Sequence, residues 1–325
     1  MILLCFGTRP EWLKIKPLVK ILDRNQYKLL FTGQHKDLLK HIKPDYEITI
    51  KQSSNRLDSV ISSCMLQFPE GDFDSVLVQG DTASAFACAL AAYNRKLKIY
   101  YMEAGLRSYN LDHPYPEEAY RQMIARISDV NFCPTKNSQL NLINEKVSGS
   151  TFSVGNTVLD NLIEYKDKCE YTDKVLVTLH RRENHHIMDK WFGEVNQLAK
   201  DFGGLNFILP IHPNPNVQKH KHLLTHVNIV DPMSHDELLN VLCKSKLVIS
   251  DSGGLQEEGS FFNKKVIVCR EVTERPEAIE TGHLHICKSP KDLPNLFHNV
   301  VKNYYINNIC PYGDGYASKK IKKLL

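Results

Sequence analysis

Residues 103–121 concentrate acidic and basic side chains that can carry out proton transfer. The segment holds Glu103, Glu117 and Glu118 together with two arginines. Carboxylates held close together serve as general acids and bases. Residues 98–102 predict a short buried strand, so Glu103 would follow its carboxyl end, where parallel sheets place their ligands. A helix N-cap would account for one of these glutamates but not for the whole cluster.

Two more predicted strands end in groups with acid or base chemistry. Asp81 follows the predicted strand at residues 75–79, where it can cap the next helix, face the same crevice as Glu103, or do both. His180 follows the predicted strand at residues 175–178. A histidine there can act as an acid, a base or a phosphate partner at neutral pH, so we predict a functional role for it.

Two turns at the starts of predicted helices have the composition of anion-binding sites. Residues 7–11 read GTRPE, and their backbone N–H groups, with Arg9 and Lys14, can point at an anion. Only one glycine is present there, which argues against NAD bound in the standard way. Residues 252–254 read SGG and would leave N–H groups open to a diphosphate, with Glu258 one turn on, within reach of ribose hydroxyls.

The remaining histidines give weaker signals. His185 and His186 are adjacent, but no third ligand stands at a recognisable spacing, so we predict loop residues and no metal site. His212 lies in a proline-rich turn, where a hydrogen-bonded turn residue is one interpretation and a substrate contact the other.

Length and composition favour a two-domain globular protein. A chain of 325 residues exceeds the size of a single core. With 42% hydrophobic and 24% charged residues and no apolar run of roughly 18 residues, no membrane span is predicted. The first residues predict a strand rather than a leader, which favours the cytoplasm. A net charge of +4 does not indicate nucleic-acid binding, and nine cysteines without a CxxC pair predict buried, reduced thiols.

Predicted strands and helices alternate along the chain, as in βα units with parallel sheets. A polar stretch at residues 165–174 interrupts this rhythm and separates two Rossmann-like halves facing a cleft. We predict a first domain at residues 1–168, a second at 169–305 and a final helix at 306–325. The predicted strands are 2–6, 28–32, 75–79, 98–102, 130–133, 152–154, 175–178, 207–210, 228–230, 247–250 and 265–269. The predicted helices are 11–24, 83–94, 117–128, 136–144, 189–201, 235–244, 254–262 and 289–302.

Eleven motifs, in order along the chain, closely resemble the non-hydrolysing UDP-N-acetylglucosamine 2-epimerases. They are GTRPE at 7–11, GQH at 33–35, GDT at 80–82, EAGLR at 103–107, PEEAYR at 116–121, GNT at 155–157, HRREN at 180–184, HPNPNV at 212–217, DSGGLQEE at 251–258, TERPE at 273–277 and PYGDG at 311–315.

The resemblance implies a glycosyltransferase-B type fold, an α/β architecture in which UDP lies in the cleft and the last helix crosses back to the first domain. It also implies a reaction without metal, NAD or other cofactor. The family interconverts UDP-N-acetylglucosamine and UDP-N-acetylmannosamine by eliminating UDP to give 2-acetamidoglucal and adding it back. The substrate partner would be a UDP-sugar, and the protein a homodimer.

Motif matching carries the family's site residues onto this chain. The catalytic positions are Asp81, Glu103, Glu117 and His180. The substrate-binding positions are Arg9, Lys14, Arg121, Arg181, His212, Ser252, Gly253, Gly254, Glu258 and Arg275.

The chain departs from the family pattern in three places, one of which is its shorter length between motifs, near residues 43–57 and 160–175. Many bacterial members bind a second UDP-sugar as an activator, and here Asp37 and Ser63 replace expected polar and arginine residues while Gln34 and His35 persist. Leu238 stands where the family has a uracil-stacking phenylalanine.

Four other functions fit parts of the sequence. A hydrolysing epimerase would have a different signature from residues 103–121, and another UDP-2-acetamido sugar, a 2,3-diacetamido uronate or a 6-deoxy hexose, could be the substrate. A glycosyltransferase would not need the carboxylate cluster. A non-catalytic nucleotide-sugar sensor would keep residues 252–258 and lose the acid and base groups.

Overall fold

A computed structural model describes residues 1–34, 42–273, 275–306 and 309–325. The chain forms two compact units. Unit 1 comprises Met1–Asn161 together with Gly313–Leu325, and unit 2 comprises Leu162–Tyr312. The sequence predicts the first boundary after residue 168, several residues beyond Asn161. It predicts the second boundary after residue 305, several residues before Tyr312.

Unit 1 begins with strands and helices that alternate, except between β2 and β3, around a single sheet. In chain order its first elements are β1 Ile2–Phe6, α1 Arg9–Ile21, β2 Tyr27–Phe31, β3 Tyr46–Glu47, α2 Arg56–Leu66, β4 Ser75–Gln79, α3 Ala83–Asn94, β5 Lys98–Met102, α4 Glu117–Ile127, β6 Val130–Cys133, α5 Lys136–Asn144 and β7 Ser150–Ser153.

The seven strands of unit 1 pair in the order β3-β2-β1-β4-β5-β6-β7, and every pair is parallel. This is the doubly wound order, which reverses direction between β1 and β4. Helices cover both faces of the sheet, so strands such as β4 are buried along their whole length. Alanines at successive turns let α3 pack closely on the sheet and on α2. The order places the loops after β1 and β4 side by side.

Unit 2 repeats the same plan. Its elements are α6 Ile163–Lys166, β8 Lys174–Thr178, α7 Met188–Asp201, β9 Asn206–Pro210, α8 Pro215–Gln218, β10 Asn228–Val230, α9 His235–Cys243, β11 Ser245–Ser250, α10 Gly253–Phe261, β12 Lys265–Val268, α11 Glu277–Glu280, β13 Leu284–Ile286 and α12 Leu293–Lys302. The strand order is β10-β9-β8-β11-β12-β13, all parallel, with the reversal between β8 and β11.

The sequence-based prediction of the strands and helices is confirmed for most elements, and six elements are not predicted. Three of these, α6, α8 and α11, are helices of only four residues. β3 is only two residues long and β13 only three, too short for a periodic pattern. α2 contains three serines, which favour caps and turns over helix interiors. The helix is held by Asn55, whose side chain accepts from the N–H groups of Leu57 and Asp58, and by packing on α3.

The last helix, α13 Ala317–Lys322, returns to unit 1 and packs on α1. Asp160 holds its first turn, because Oδ1 accepts the N–H of Ala317 at 3.0 Å and Oδ2 accepts the N–H of Ser318 at 2.7 Å. The Ser318 hydroxyl donates to the same carboxylate. This half-buried carboxylate satisfies N–H groups of buried residues that have no partner within the helix.

We expect Asp160→Ala to weaken the docking of α13 by about 1–3 kcal/mol, the cost of leaving buried donors unsatisfied. Hydrogen–deuterium exchange in residues 317–322 should therefore accelerate. The matched control is Lys320→Ala, which removes only an exposed ion pair with Asp314 at 3.0 Å and should change exchange little. Equal exchange in Asp160→Ala and the unaltered protein would show that this cap does not hold the helix.

Candidate active site

In unit 1, the candidate residues follow the carboxyl ends of three adjacent strands. Residues 7–8 follow β1. One residue separates Asp81 from the end of β4, and Glu103 follows β5 directly. A Cβ built on Gly80 would lie 3.8 Å from Glu103 Oε2, so the loops after β4 and β5 approach closely. The sheet order therefore brings these groups to one edge, as expected for a ligand crevice in a doubly wound sheet.

Glu11 fills the position at which the sequence predicts a bound anion. Its Oε2 accepts the N–H groups of Gly7 at 2.8 Å and Thr8 at 2.7 Å, and its Oε1 accepts the Thr82 hydroxyl. Burial raises the pKa of Glu11, and these hydrogen bonds oppose the rise. The expectation that the Gly7 and Thr8 N–H groups face a ligand is wrong, because the anion at this helix N-terminus is a side chain of the helix itself. Arg9 stays exposed.

Glu103 is fixed by two neighbours and by its own backbone. Lys14 Nζ donates to Oε1 and Gln79 Nε2 donates to Oε2. The residue has φ +62°, in the left-handed region that a non-glycine residue occupies at some cost. Such conformations cluster at functional sites, where the surrounding structure holds them in place. The carboxylate is only 10% exposed and has a defined orientation.

Asp81 is joined to α4 through Arg121. Arg121 Nε donates to Asp81 Oδ2 at 2.8 Å, and another guanidinium nitrogen of the same arginine lies 2.7 Å from this oxygen. Burial raises the pKa of Asp81, an effect that the positive charge of Arg121 opposes and the nearby Glu103 carboxylate reinforces. Asp81 is therefore poised to exchange a proton closer to neutral pH than an ordinary aspartate.

The adjacent glutamates at the start of α4 have different surroundings. Glu118 is fully buried and accepts the N–H groups of Ser108 at 2.9 Å and Tyr109 at 3.2 Å, as well as Arg121 at 3.3 Å. Burial acts to raise the pKa of Glu118, but these bonds outweigh it and lower the pKa. Glu117 Oε2, in contrast, is buried and has no hydrogen-bond partner within the described part of the chain. Glu118 is thus a structural anion, and Glu117 has an oxygen left for a substrate.

In unit 2, Asp251 organises the loops that follow β8 and β11. This fully buried carboxylate accepts the N–H groups of His180 at 3.0 Å and Arg181 at 2.9 Å, and the Asn184 amide at 3.0 Å. Asn184 is fixed in turn by the indole N–H of Trp191 at 3.2 Å. The loop that carries His180 is therefore held by a buried charge rather than by packing alone.

The His180 ring stacks on His212 with centroids 5.0 Å apart and planes 14° from parallel. Burial lowers the pKa of His180; the charge of Asp251 opposes this, and His212 adds to it. The imidazole is therefore neutral at pH 7, able to accept a proton or to donate a hydrogen bond. His212 Nδ1 also accepts the N–H of Asn214 at 3.1 Å, as expected for a hydrogen-bonded turn residue. The stacking on His180 is a second contact of the same side chain. Arg181 is exposed.

The start of α10 has the features of a diphosphate site. Ser252 is the N-cap residue, but its hydroxyl makes no capping hydrogen bond, so the first-turn N–H groups lack a cap from it. Arg275 NH1 would lie 3.1 Å from a Cβ on Gly253, and Arg275 Nε donates to Glu257 Oε1 at 2.6 Å. The Ser252 N–H donates to Ser250 Oγ at 2.9 Å, whereas a Cβ built on Gly254 would meet no atom within 4 Å. A positively charged side chain and an open glycine therefore lie at one helix N-terminus.

The structure thus groups most of the predicted residues within their own units. In unit 1, Lys14 lies on Glu103 and Arg121 on Asp81; in unit 2, His180 stacks on His212 and Arg275 covers Gly253. The candidate list omits three residues: Gln79, Asp251 and His235, the last of which contacts Glu258. Gln79 ends a predicted strand directly before GDT, and Asp251 follows a predicted strand as the first residue of DSGGLQEE. These positions are a signal that could have identified both residues, whereas nothing in the sequence marks His235.

The positions that correspond to the family's effector site are only partly described. Gln34 Oε1 accepts the Ser84 hydroxyl at 2.8 Å, and Ser63 Oγ accepts the N–H of Lys51 at 2.9 Å. His35 and Asp37 lie outside the described residues. Leu238 is half-buried on α9.

Across residues 1–34, 42–273, 275–306 and 309–325, no three His, Cys, Asp or Glu side chains are arranged to hold a metal ion. Over the same ranges, every helix is too short or too polar to cross a lipid bilayer.

Two doubly wound units, one with clustered carboxylates at its strand ends and one with a glycine turn at a helix N-terminus, define a protein of the glycosyltransferase-B fold type. The sequence profile of the UDP-N-acetylglucosamine 2-epimerase family matches residues 20–325. The chain belongs to this family.

Relatives support the same assignment over the full length. The UDP-N-acetylglucosamine 2-epimerase of Campylobacter jejuni is 37% identical, with 100% of this chain and 97% of the relative covered. The crystal structure of the Neisseria meningitidis enzyme bound to UDP-GlcNAc is similar with a TM-score of 0.84 at 33% identity, covering 99% and 98% of the chains. The Methanocaldococcus jannaschii enzyme in complex with UDP-GlcNAc and UDP gives 0.77 at 26% identity, covering 99% and 98%. The predicted fold class is confirmed.

The contrast between neighbouring glutamates gives a stability test. Glu118→Gln removes a buried charge that several donors surround, so we expect a loss of about 3 kcal/mol and a lower urea midpoint. Glu117→Gln, the matched control one residue away, should leave the midpoint within the range of a neutral substitution, about 0.5 kcal/mol. Circular dichroism during urea unfolding measures both. Equal midpoints for the two variants would contradict the structural role of Glu118.

Proposed function

We propose that this protein interconverts UDP-N-acetylglucosamine and UDP-N-acetylmannosamine as a non-hydrolysing 2-epimerase. The observation that carries the proposal is the arrangement in unit 1, where Asp81, Glu103 and Glu117 occupy strand ends and a helix start and differ in their hydrogen-bond partners. Inversion at C2 requires a proton to leave one face and another to reach the opposite face. Such a reaction needs more than one acid or base group, and unit 1 offers them.

The proposed route keeps atoms and charges in balance. A carboxylate takes the C2 proton, the C1–O bond to the diphosphate breaks, and UDP leaves with its electron pair to give 2-acetamidoglucal. UDP then adds back at C1 while a protonated group delivers a proton to the other face of C2. Because the C2 proton is weakly acidic, the departing diphosphate must be stabilised strongly as its charge develops.

The surroundings of each carboxyl group suit it to part of this route. Asp81, with a raised pKa, is suited to hold a proton for delivery. Glu103 is oriented by Lys14 and Gln79 as an ionised acceptor. Glu117 has an unpartnered buried oxygen that can act in either sense. We propose that Lys14 and Arg121 bind substrate and also tune these carboxylates, since they already contact them.

Unit 2 would hold UDP and stabilise it as it leaves. The proposed contacts are the Ser252 hydroxyl, the N–H groups of Gly253 and Gly254, and Arg275 for the diphosphate, and Glu258 for the ribose. His180, neutral and stacked on His212, can donate a hydrogen bond to the developing charge. We propose that Arg9, Arg181 and His212, which are exposed, become ordered around the substrate. We further propose that the protein acts in the cytoplasm as a homodimer.

Incubation with UDP-N-acetylglucosamine in D2O tests the route. We expect proton NMR to show deuterium at C2 in both epimers of the recovered UDP-sugar, because elimination exchanges this proton with solvent. An epimer with C2 fully protonated would rule out solvent exchange at the acid and base groups. Free sugar and UDP as main products would identify a hydrolysing enzyme, and no turnover would direct attention to other UDP-2-acetamido sugars.

We expect Asp81→Asn, Glu103→Gln and Glu117→Gln each to lower turnover by at least about a hundredfold, the low end for loss of a general acid or base. UDP affinity, measured by calorimetry, should change little because these groups belong to unit 1. The control is Asp112→Asn, an exposed carboxylate of the same unit, which should retain full turnover. Ordinary turnover in two of the three variants would remove those residues from the catalytic group.

A further inference from the structure

His235 contacts the carboxylate that is proposed to bind ribose. It is the first residue of α9, and its Nε2 lies 3.0 Å from Glu258 Oε1 on α10. The imidazole is 25% exposed and the Glu258 side chain only 7% exposed. The contact therefore lies at the edge of the buried interior, where the imidazole is partly exposed.

The direction of the hydrogen bond follows from the chemistry of the two groups. An ionised carboxylate can only accept, so Nε2 carries the hydrogen and His235 donates. A bond to a charged acceptor is stronger than a neutral one, and it limits rotation of the carboxylate about its last side-chain torsion. Glu258 is thereby held with Oε1 engaged and Oε2 directed elsewhere.

Such an arrangement matters for ribose because a ribose offers neighbouring 2′ and 3′ hydroxyls as donors. A freely rotating carboxylate satisfies either hydroxyl and tolerates the loss of one. A carboxylate with a fixed orientation presents its oxygens at set positions, so a missing hydroxyl leaves a buried acceptor without its partner. A fixed orientation of the Glu258 carboxylate would therefore make the site distinguish ribose from a sugar that lacks one of these hydroxyls.

We propose that His235 is a positioning residue that orients Glu258 and makes the nucleotide site selective for ribose over 2′-deoxyribose. The inference rests on the proposed binding of UDP to unit 2. The capping residues of α9 keep His235 in register, since Ser234 and Glu237 form a capping box around the helix start. His235 does not touch the reacting atoms, so it should affect substrate affinity and leave the chemical step unchanged.

The experiment compares UDP with 2′-deoxy-UDP by calorimetry on the full chain. The matched variants are His235→Gln, whose amide nitrogen reaches the position of Nε2, and His235→Asn, whose amide matches Nδ1 and falls short of Glu258. Both amides are tolerated at a helix start. We expect the unaltered protein and His235→Gln to prefer UDP, and His235→Asn to lose about tenfold of that preference, the effect of one hydrogen bond to a charged group.

Two further readouts separate positioning from a general structural effect. In turnover assays, His235→Asn should raise KM and leave kcat unchanged. In a Glu258→Gln background, which itself should weaken UDP binding, adding His235→Asn should not alter the ribose preference further, because the two residues act through one contact.

The outcomes are distinct. A ribose preference in His235→Asn equal to that of the unaltered protein overturns the role of His235 while leaving the proposed function intact. Failure of the unaltered protein to bind UDP at all overturns the proposed nucleotide site, and this inference with it.

Discussion

The parallel arrangement of every strand is the constraint on which the site depends. In a parallel sheet all carboxyl ends lie at one edge, so loops far apart in sequence emerge together. In unit 1 this brings Asp81 and Glu103 close enough for each to influence the other's charge, although twenty-two positions separate them in sequence (103 − 81). In unit 2 the same constraint joins the loop of His180 to that of Asp251. The loops of His180 and Asp251 follow the two strands between which the order of unit 2 reverses. Asp81 follows a strand at the reversal in unit 1, and Glu103 follows the next strand of the sheet.

The charged groups at these edges divide into those that hold the structure and those that remain for chemistry. Glu11, Glu118 and Asp251 each satisfy several backbone N–H groups and are buried. Glu117 Oε2 has no hydrogen-bond partner within the described residues, and the His180 ring stacks on His212. Interior anions of the first kind hold the loops in place, which is the condition for the second kind to act with defined geometry.

The sequence predicts the framework well because hydrophobic periodicity is local. β4 and α3 are predicted to the residue, since a buried apolar run and an alanine-rich helix need no distant partner. The interpretation of Asp81 as the cap of this helix is wrong, because the N-cap is Thr82, whose side chain accepts the N–H of Ala85. Most site residues are also identified, because they follow strand ends and match family motifs. The role of Glu11 is not predicted: GTRPE fits an anion-binding turn and a capping box equally well, and only the structure shows which donors the carboxylate takes.

The partners of the site residues are hidden from the sequence for a related reason. His235 and Glu258 are brought together by two helices packed on the same sheet, and no spacing rule connects them. Gln79 and Lys14 likewise converge on Glu103 from different elements. Such contacts depend on strand order and side-chain direction, which a single sequence does not reveal. For α2, the serines that obscure the helix pattern become partly buried hydrogen-bonding groups once α3 covers them.

The return of α13 to unit 1 has a consequence for the order of events during synthesis. Unit 2 is continuous in the chain, whereas unit 1 lacks one helix until residues 313–325 have been made. Because a nascent chain emerges from its amino end, the seven-stranded sheet can assemble early. The packing of α13 on α1, and the hydrogen bonds from its first N–H groups to Asp160, can form only after the last residues have been made. The earlier unit is thus completed last, and until then the part of α1 that α13 covers stays exposed.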